Sequence, residues 1–272
     1  MIIDYAWGRP SYSLLRPQGV SGVMRYLSHD RTKVLDHSEI AALRSRQIPF
    51  GLVFEDTANR ALGGFHAGVA DAQFAKSQLE ALGLPHLPVY FAVDFDANDA
   101  EKPKILQYIR GAVSVLGYRG VGCYASYYVI RYLVDHDACD FYWQTYAWSG
   151  GLLWKLKAAA RTTIGRKKHP AANLYQYSNG HRLAGVSCDY NKALTRDWGQ
   201  SPRPAIPTPP PPPPPPDLGP VDLKRDPHIY LRAKDGSEHW EALTPKNIDY
   251  RTKQLKKRKW AEVDFVRIPN HR

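Results

Sequence analysis

Apolar and polar positions alternate in short runs along the first two hundred residues. Ile2–Ala6, Val23–Ser28, Phe50–Glu55, Val89–Asp94, Gly120–Ala125, Phe141–Tyr146, Asn173–Tyr177 and Val186–Tyr190 are β-branched, aromatic or alternating, and most are bounded by Gly, Pro or Asn, which predicts a strand for each. Between several of them the apolar period lengthens to that of a helix, over Ser38–Arg46, Gly68–Leu82 and Ala100–Leu116. Ser38 is the expected N-cap of the first of these, and Gly83 and Gly117 are the expected stops of the others. Strands that alternate with helices predict a parallel sheet with right-handed crossovers. Eight such units in about 200 residues predict an α/β fold of (β/α)8 type, a TIM-like barrel with its site at the C-terminal ends of the strands. An open doubly wound sheet is the competing topology, but no Gly-rich phosphate loop follows the first strand.

The pattern breaks at Pro202–Pro216, which ends in eight consecutive prolines. Such a run enters neither sheet nor helix and predicts a polyproline II spacer of about 3.1 Å per residue. Three regions follow from this: a barrel over 1–200, a Pro-rich linker over 201–216, and a small basic α+β or β module over 217–272. In the module, Ile229–Ala233 and His239–Leu243 read as a hairpin turning at Asp235-Gly236, Trp260–Ile268 reads as a third strand, and Lys253–Lys259 as a basic helix.

Composition narrows the partners. The net charge of +11 suits an anionic surroundings, but the excess is spread: residues 1–200 carry 23 Lys and Arg against 17 Asp and Glu, and residues 217–272 carry 13 against 9. Neither part is a concentrated basic arm, so nucleic acid is not the expected partner. Three cysteines without a Cys-x-x-Cys pair predict small core residues rather than a disulfide framework. No apolar run reaches the roughly 20 residues that span a bilayer. Met1 leads straight into a strand-like run without a signal-peptide pattern, so synthesis in the cytoplasm and release by another route are expected. The cluster Asp135, His136, Asp137, Cys139 and Asp140 lacks metal-ligand spacing and reads as an acidic loop; no metal and no cofactor are expected.

The strands end in acids. Asp4, Glu55, Asp94, Asp96 and Asp189 sit at or near strand tips, where an uncompensated buried carboxylate would cost several kcal/mol, so their convergence predicts a site. Asp94 and Asp96 stand two apart, which places them on one side if the strand persists, and close carboxylates drive one pKa up toward that of a general acid. An Asp-rich turn capping the next helix is the alternative for this pair. Trp7, Tyr124, Trp143 and Tyr177 near strand ends suit stacking on sugar faces, although strand aromatics also build cores. Gln144 and Gln176 are amides inside apolar strands and need partners, which makes them candidates to orient substrate or a catalytic Asp.

Ile3-Asp4, the strand Tyr90-Phe-Ala-Val-Asp94-Phe-Asp96, and Tyr175-Gln-Tyr-Ser with Gly185-Val-Ser-Cys-Asp-Tyr-Asn191 resemble the family 25 lysozymes. They resemble more closely the related glycoside-hydrolase-like proteins once filed as domain of unknown function 1906. The resemblance covers about residues 1–198. It implies a (β/α)8 barrel that hydrolyses the β-1,4 bonds of peptidoglycan, with catalytic acids from the first, fourth and last strands, and an enzyme of the phage endolysin type or a virion-borne lysin acting at the bacterial wall. The family 25 pattern on strand four is Asp-x-Glu, whereas Asp96 stands here in place of the Glu, one bond shorter; Glu55 is the alternative long carboxyl. A glycan-binding or tail-component barrel without turnover is the second expectation, and the C-terminal module is a candidate contact to anionic wall polymers.

Overall fold

The computed structural model describes residues 1–149 and 167–203, and the backbone of three short strands farther on, 229–232, 238–241 and 264–266. Two compact units divide the chain, residues 1–205 and 206–272.

The first unit is a closed barrel of eight strands in sequence order. They are β1 (Ile2–Asp4), β2 (Gly22–Leu27), β3 (Phe50–Phe54), β4 (Val89–Ala92), β5 (Val121–Ser126), β6 (Phe141–Thr145), β7 (Leu174–Leu183) and β8 (Val186–Ala193). Between them lie α1 (Tyr12–Leu15), α2 (His37–Ser45), α3 (Gly64–Ala81), α4 (Lys102–Leu116) and α5 (Tyr127–Asp135). Each predicted strand is present within a few residues, except that β7 runs on to Leu183. Asp36, not Ser38, caps α2, its carboxylate accepting from the Glu39 amide at 2.8 Å, because the helix begins one residue earlier at His37.

The expected all-parallel barrel is corrected at its seam. Strands β1 to β7 pair in parallel, but β8 is antiparallel to both β7 and β1. The cause is local: Ala184 and Gly185 both have positive φ, 49° and 93°, which turns β7 into β8 through a two-residue hairpin with no room for a crossover helix. Asp189 therefore lies in the first half of β8, where the antiparallel strand enters the end of the barrel at which the parallel strands finish.

Strand alternation separates two cores. Ile2, Met24, Val53, Tyr90, Ala92, Tyr124, Phe141, Trp143 and Leu174 point inward and fill the barrel, while their neighbours, such as Ile3, Val23, Leu52, Phe91 and Cys123, point outward against the helices. Helices α3 and α4 touch backbone to backbone: a Cβ on Gly68 would lie 1.9 Å from the Tyr108 carbonyl oxygen, and one on Gly111 would lie 2.2 Å from that of Phe65. Arg60 and Tyr108 satisfy the buried Asp71 beside this crossing.

The barrel floor is sealed by the segment that leaves it. Trp198 is 5% exposed and packs into the inner core beneath β2 and β3, 3.0 Å from where a Gly22 Cβ would lie and 2.9 Å from that of Gly51. Its carbonyl accepts from the Tyr90 hydroxyl at 2.9 Å, and Phe50 and Ser201 exchange backbone hydrogen bonds just beyond it. Among the described residues no helix is long and apolar enough to cross a membrane.

In the second unit β9 (Ile229–Arg232) is flanked by β10 (Glu238–Glu241) and β11 (Asp264–Val266), both antiparallel to it. The turn expected at Asp235-Gly236 and most of the third strand expected over Trp260–Ile268 lie outside the described residues. The proline run from 204 onward and the basic stretch Lys253–Lys259 fall outside the described residues.

Trp198→Ala would open the floor and leave the Gly22 and Gly51 hollows unfilled. Truncating a buried Trp typically costs about 3–5 kcal/mol, and we expect a loss in that range by urea denaturation. A loss below about 1 kcal/mol would show that the barrel closes without this plug.

Candidate active site

Inward-facing positions at the C-terminal mouth of the barrel change from apolar to acidic one pleat above the packed core. Asp4 follows Ile2, Glu55 follows Val53 and Asp94 follows Ala92, each on the inward face of its strand or just past its end, and on the antiparallel β8 Asp189 lies at the mouth with Asn191 one pleat deeper. Together with Ala6, Trp7, Tyr26, Tyr124, Trp143 and Gln176, the four acids line a cleft of about 270 Å³.

Asp4 and Asp189 are opposite each other in the β1–β8 ladder, an arrangement that brings side chains to about 5 Å at the Cβ atoms. Asp4 is 4% exposed. Its Oδ2 accepts from Asn191 Nδ2 at 2.6 Å and from Gln176 Nε2 at 3.4 Å, and its Oδ1 faces the Tyr26 hydroxyl at 3.5 Å. Gln176 Nε2 also donates to Asp189 at 3.1 Å, so one amide bridges the two acids.

Neighbouring donors orient both amides. The hydroxyls of Tyr124 and Thr145 donate to Gln176 Oε1 at 2.9 and 2.7 Å, which turns the Gln176 NH2 toward the acids. The indole of Trp143, a donor only, binds Asn191 Oδ1 at 2.8 Å and turns the Asn191 NH2 toward Asp4.

Burial first and the negative charge of Asp189 second raise the pKa of Asp4 to about 7, with the Asn191 and Gln176 bonds holding the rise down in part. Desolvation likewise raises Glu55, Asp94 and Asp189; Lys33 opposes the rise at Glu55, and the Gly180 amide opposes it at Asp189. Lys33 Nζ lies 3.6 Å from Glu55 Oε1 and 5.3 Å from the Tyr26 ring centre. Lys33 lies against Glu55 alone, so the rise at Asp4 to about 7 is not offset by an ion pair, which favours a retained proton there as pH approaches neutrality.

Several sequence candidates lie elsewhere. β4 ends at Ala92, so Asp94 and Asp96 do not share a strand face; Asp94 enters the cleft and Asp96 is exposed outside it. Gln144 points outward, where its amide accepts from the His169 N–H and donates to the Lys167 carbonyl, each at 2.7 Å, so it anchors the chain entering β7 rather than substrate. Tyr177 is 38% exposed on β7, off the cleft. The β7–β8 register shifts on either side of Ser178, and these bulges let the Gly180 amide reach Asp189 Oδ1 at 2.9 Å. Trp7, Tyr124, Trp143 and Gln176 line the cleft; Tyr124 and Trp143 are buried and hold polar groups in place, while Trp7 is 63% exposed.

Asn191, Tyr26, Thr145 and Lys33 complete the site and were not singled out. Asn191 could have been found, since it stands two residues after Asp189 and shares its face. Lys33 arrives on a loop held by the buried Arg25, which donates to the Lys33 carbonyl at 3.2 Å and to Glu39 at 2.8 Å; Tyr5, just past β1, donates to the same Glu39 oxygen at 2.5 Å.

Residues 13–193 match the family described as Rv2525c-like, glycoside hydrolase-like domain. The chain belongs to that family. It is 28% identical over 213 residues, 73% of this chain and 82% of the relative, to Rv2525c of Mycobacterium tuberculosis, a candidate peptidoglycan hydrolase. A crystal structure of Rv2525c, there described as Tat-secreted and in complex with L-tartrate, matches with a TM-score of 0.64 and 27% identity over 73% of this chain and 97% of that one. An uncharacterized protein of B. stearothermophilus shares the fold, with a TM-score of 0.51 and 20% identity over 71% of this chain and 95% of that one.

Because the folded pKa of Asp4 lies above its ordinary 3.8, stability is full below about pH 4 and falls as pH rises through about 7, where the buried carboxyl ionises. Asp4→Asn keeps the shape and removes the charge. We expect its stability curve to be flatter between pH 4 and 8 than that of the wild type, with a gain of at least about 1 kcal/mol at pH 8, since one pKa unit is 1.36 kcal/mol. Parallel curves would mean that Asp4 ionises freely in the fold.

Proposed function

We propose that this chain is a lysozyme-like peptidoglycan hydrolase that cuts glycan strands by carboxylate acid–base catalysis. Glycoside hydrolysis needs one carboxyl that arrives protonated at the leaving oxygen and one carboxylate that faces the developing oxocarbenium charge. The observation that carries the reading is the set of four acids with raised pKa in one cleft at the barrel mouth, next to an exposed Trp.

Glu55 is the proton donor in this scheme. It is the longest acid of the cleft, its side chain remains 23% exposed, and burial favours its protonated form. Asp94, half-buried in the same cleft, stabilises the positive charge that develops at the anomeric carbon. Asp4 is too deep and too fully bonded to meet substrate. Repulsion from Asp189 helps it to retain its proton, and its charge state sets the potential of the cleft. Trp7 offers an apolar face to a sugar ring.

Peptidoglycan as the substrate rests on the family and on the relative Rv2525c. The proline run is proposed as a spacer and the C-terminal unit as a contact to the wall, a layout that suits a phage-type lysin. The second reading, a glycan-binding barrel without turnover, draws on the position of Asp96: the residue that stands where family 25 enzymes carry Glu lies outside the cleft.

Release of new reducing ends from purified peptidoglycan separates the two readings. Glu55→Gln and Asp94→Asn are each expected to lower the rate by at least about a hundredfold, within the 10²–10⁴ typical of general acid catalysis, while Asp96→Asn stays close to wild type. Binding of glycan without new ends would support the second reading. Equal loss in Asp96→Asn would return the acid role to strand four.

A further inference from the structure

Lys33 is a buried ammonium that stands behind the wall of the cleft. Its Nζ lies 3.6 Å from Glu55 Oε1 and over the ring of Tyr26, and both of those residues line the cleft while Lys33 does not. Glu55 is the acid in ion-pair contact with it among the described residues, and its charge also acts on Asp94 and Asp30. The titratable groups set against Glu55 from the neighbouring elements are acids or phenols: Asp4 on β1, Tyr26 on β2, Asp94 past β4, and Asp56 next in the chain, itself paired with His29.

The two partners are fixed to each other through the backbone. The Glu55 amide donates to the Leu27 carbonyl at 3.2 Å, which sets the ends of β2 and β3 side by side. The loop that follows β2 is then tied to the residue after Glu55: Asp56 Oδ1 accepts from the Ser28 hydroxyl at 2.6 Å and from the His29 amide at 2.8 Å. At its other end the loop is held by the Arg25 bond to the Lys33 carbonyl and by the Leu35 amide, which donates to the Tyr26 carbonyl at 3.0 Å. Lys33 is therefore placed by the fold, and an ammonium held in a buried position is costly unless a carboxylate or an aromatic face meets it. Glu55 meets it when ionised, and the Tyr26 ring remains when Glu55 carries a proton.

We propose that Lys33 is a positioning residue for proton donation: from behind the wall it orients the Glu55 carboxyl and stabilises the carboxylate that remains when the proton leaves. This role rests on the proposed function. In that step the Glu55 O–H bond breaks and its proton goes to the glycosidic oxygen, the bond from that oxygen to the anomeric carbon breaks with its electron pair on the oxygen, and Lys33 keeps all three of its protons. The negative charge develops 3.6 Å from an ammonium already in place, so the surroundings need no reorganisation at that moment. Asp4, also buried, has amides in place of a cation and keeps its proton to about pH 7. Lys33 thereby separates the acid that exchanges its proton with substrate from the acid that holds it.

The test follows the side-chain carboxyl carbons and the lysine Cε carbons of the full chain by carbon-13 NMR, from acid to mildly alkaline pH. In the wild type the Lys33 signal should step at the pH at which Glu55 titrates. In Lys33→Met, which keeps the length and removes the charge, the Glu55 midpoint should move up by at least about half a unit, since an opposite charge this close typically shifts a carboxyl by about 1–3 units. Asp94 should follow by less, and Asp189 should stay. A flat Lys33 signal in the wild type, or an unchanged Glu55 midpoint in folded Lys33→Met, would overturn the inference; if the variant does not fold, the wild-type step decides it. Release of reducing ends from peptidoglycan is measured on the same proteins, and in Lys33→Met the alkaline limb of its pH profile should move up with the Glu55 midpoint. Linked titration in a chain that releases no ends would uphold the pair and sink the hydrolase reading, whereas hydrolysis with an unmoved limb and an unmoved midpoint would do the reverse.

Discussion

A carboxylate held inside the barrel, directly across a ladder from a second carboxylate, is the constraint around which the mouth of this fold is built. Asp4 is buried and faces Asp189 in register, and an unpaired charge there would cost several kcal/mol. The surroundings reduce that cost with amides rather than with an ion pair: Asn191 and Gln176 donate to Asp4, and Trp143, Tyr124 and Thr145 orient those amides. What remains is met by retaining a proton, as the rise to about 7 records. The antiparallel β8 is essential to this, since a parallel eighth strand would carry Asp189 and Asn191 into the barrel at a different height.

The barrel was largely legible from short, near-continuous apolar runs bounded by Gly, Pro or Asn, because inward and outward positions both had to be apolar for a closed sheet wrapped by helices. The direction of β8 was not. It depends on whether Leu183-Ala-Gly-Val186 makes a tight turn, and Ala at a positive-φ position is a weak turn signal. β7 runs on past the expected end at Tyr177, because bulges carry the strand through Gly180, whose φ is 71°.

Among the site residues, those two apart on a strand were readable and those that depend on where a strand stops were not. Asp96 was grouped with Asp94 on the assumption that β4 continues; it ends at Ala92, and the chain turns before the second Asp can follow the first. Gln144 and Gln176 look alike in sequence, each an amide in an apolar run. The pleat sends one out to tie down the 167–169 segment and the other in to bridge two acids. Lys33 gave no local sign of its role, because its place is set by Arg25, Glu39 and Tyr5, which are far apart in sequence.

A glycan-cutting role for the cleft depends on the acids sharing protons near neutral pH rather than ionising independently. Carbon-13 NMR titration of the Asp and Glu side-chain carboxyls of the wild-type chain measures this directly. The account predicts that the Asp4 signal titrates near pH 7 and that the Asp189 signal shifts in the same range, in response to its neighbour. If these two signals and that of Glu55 all moved together below about pH 4.5, as solvent-exposed carboxyls do, the cleft would hold no proton at neutral pH and the acid–base account would be contradicted.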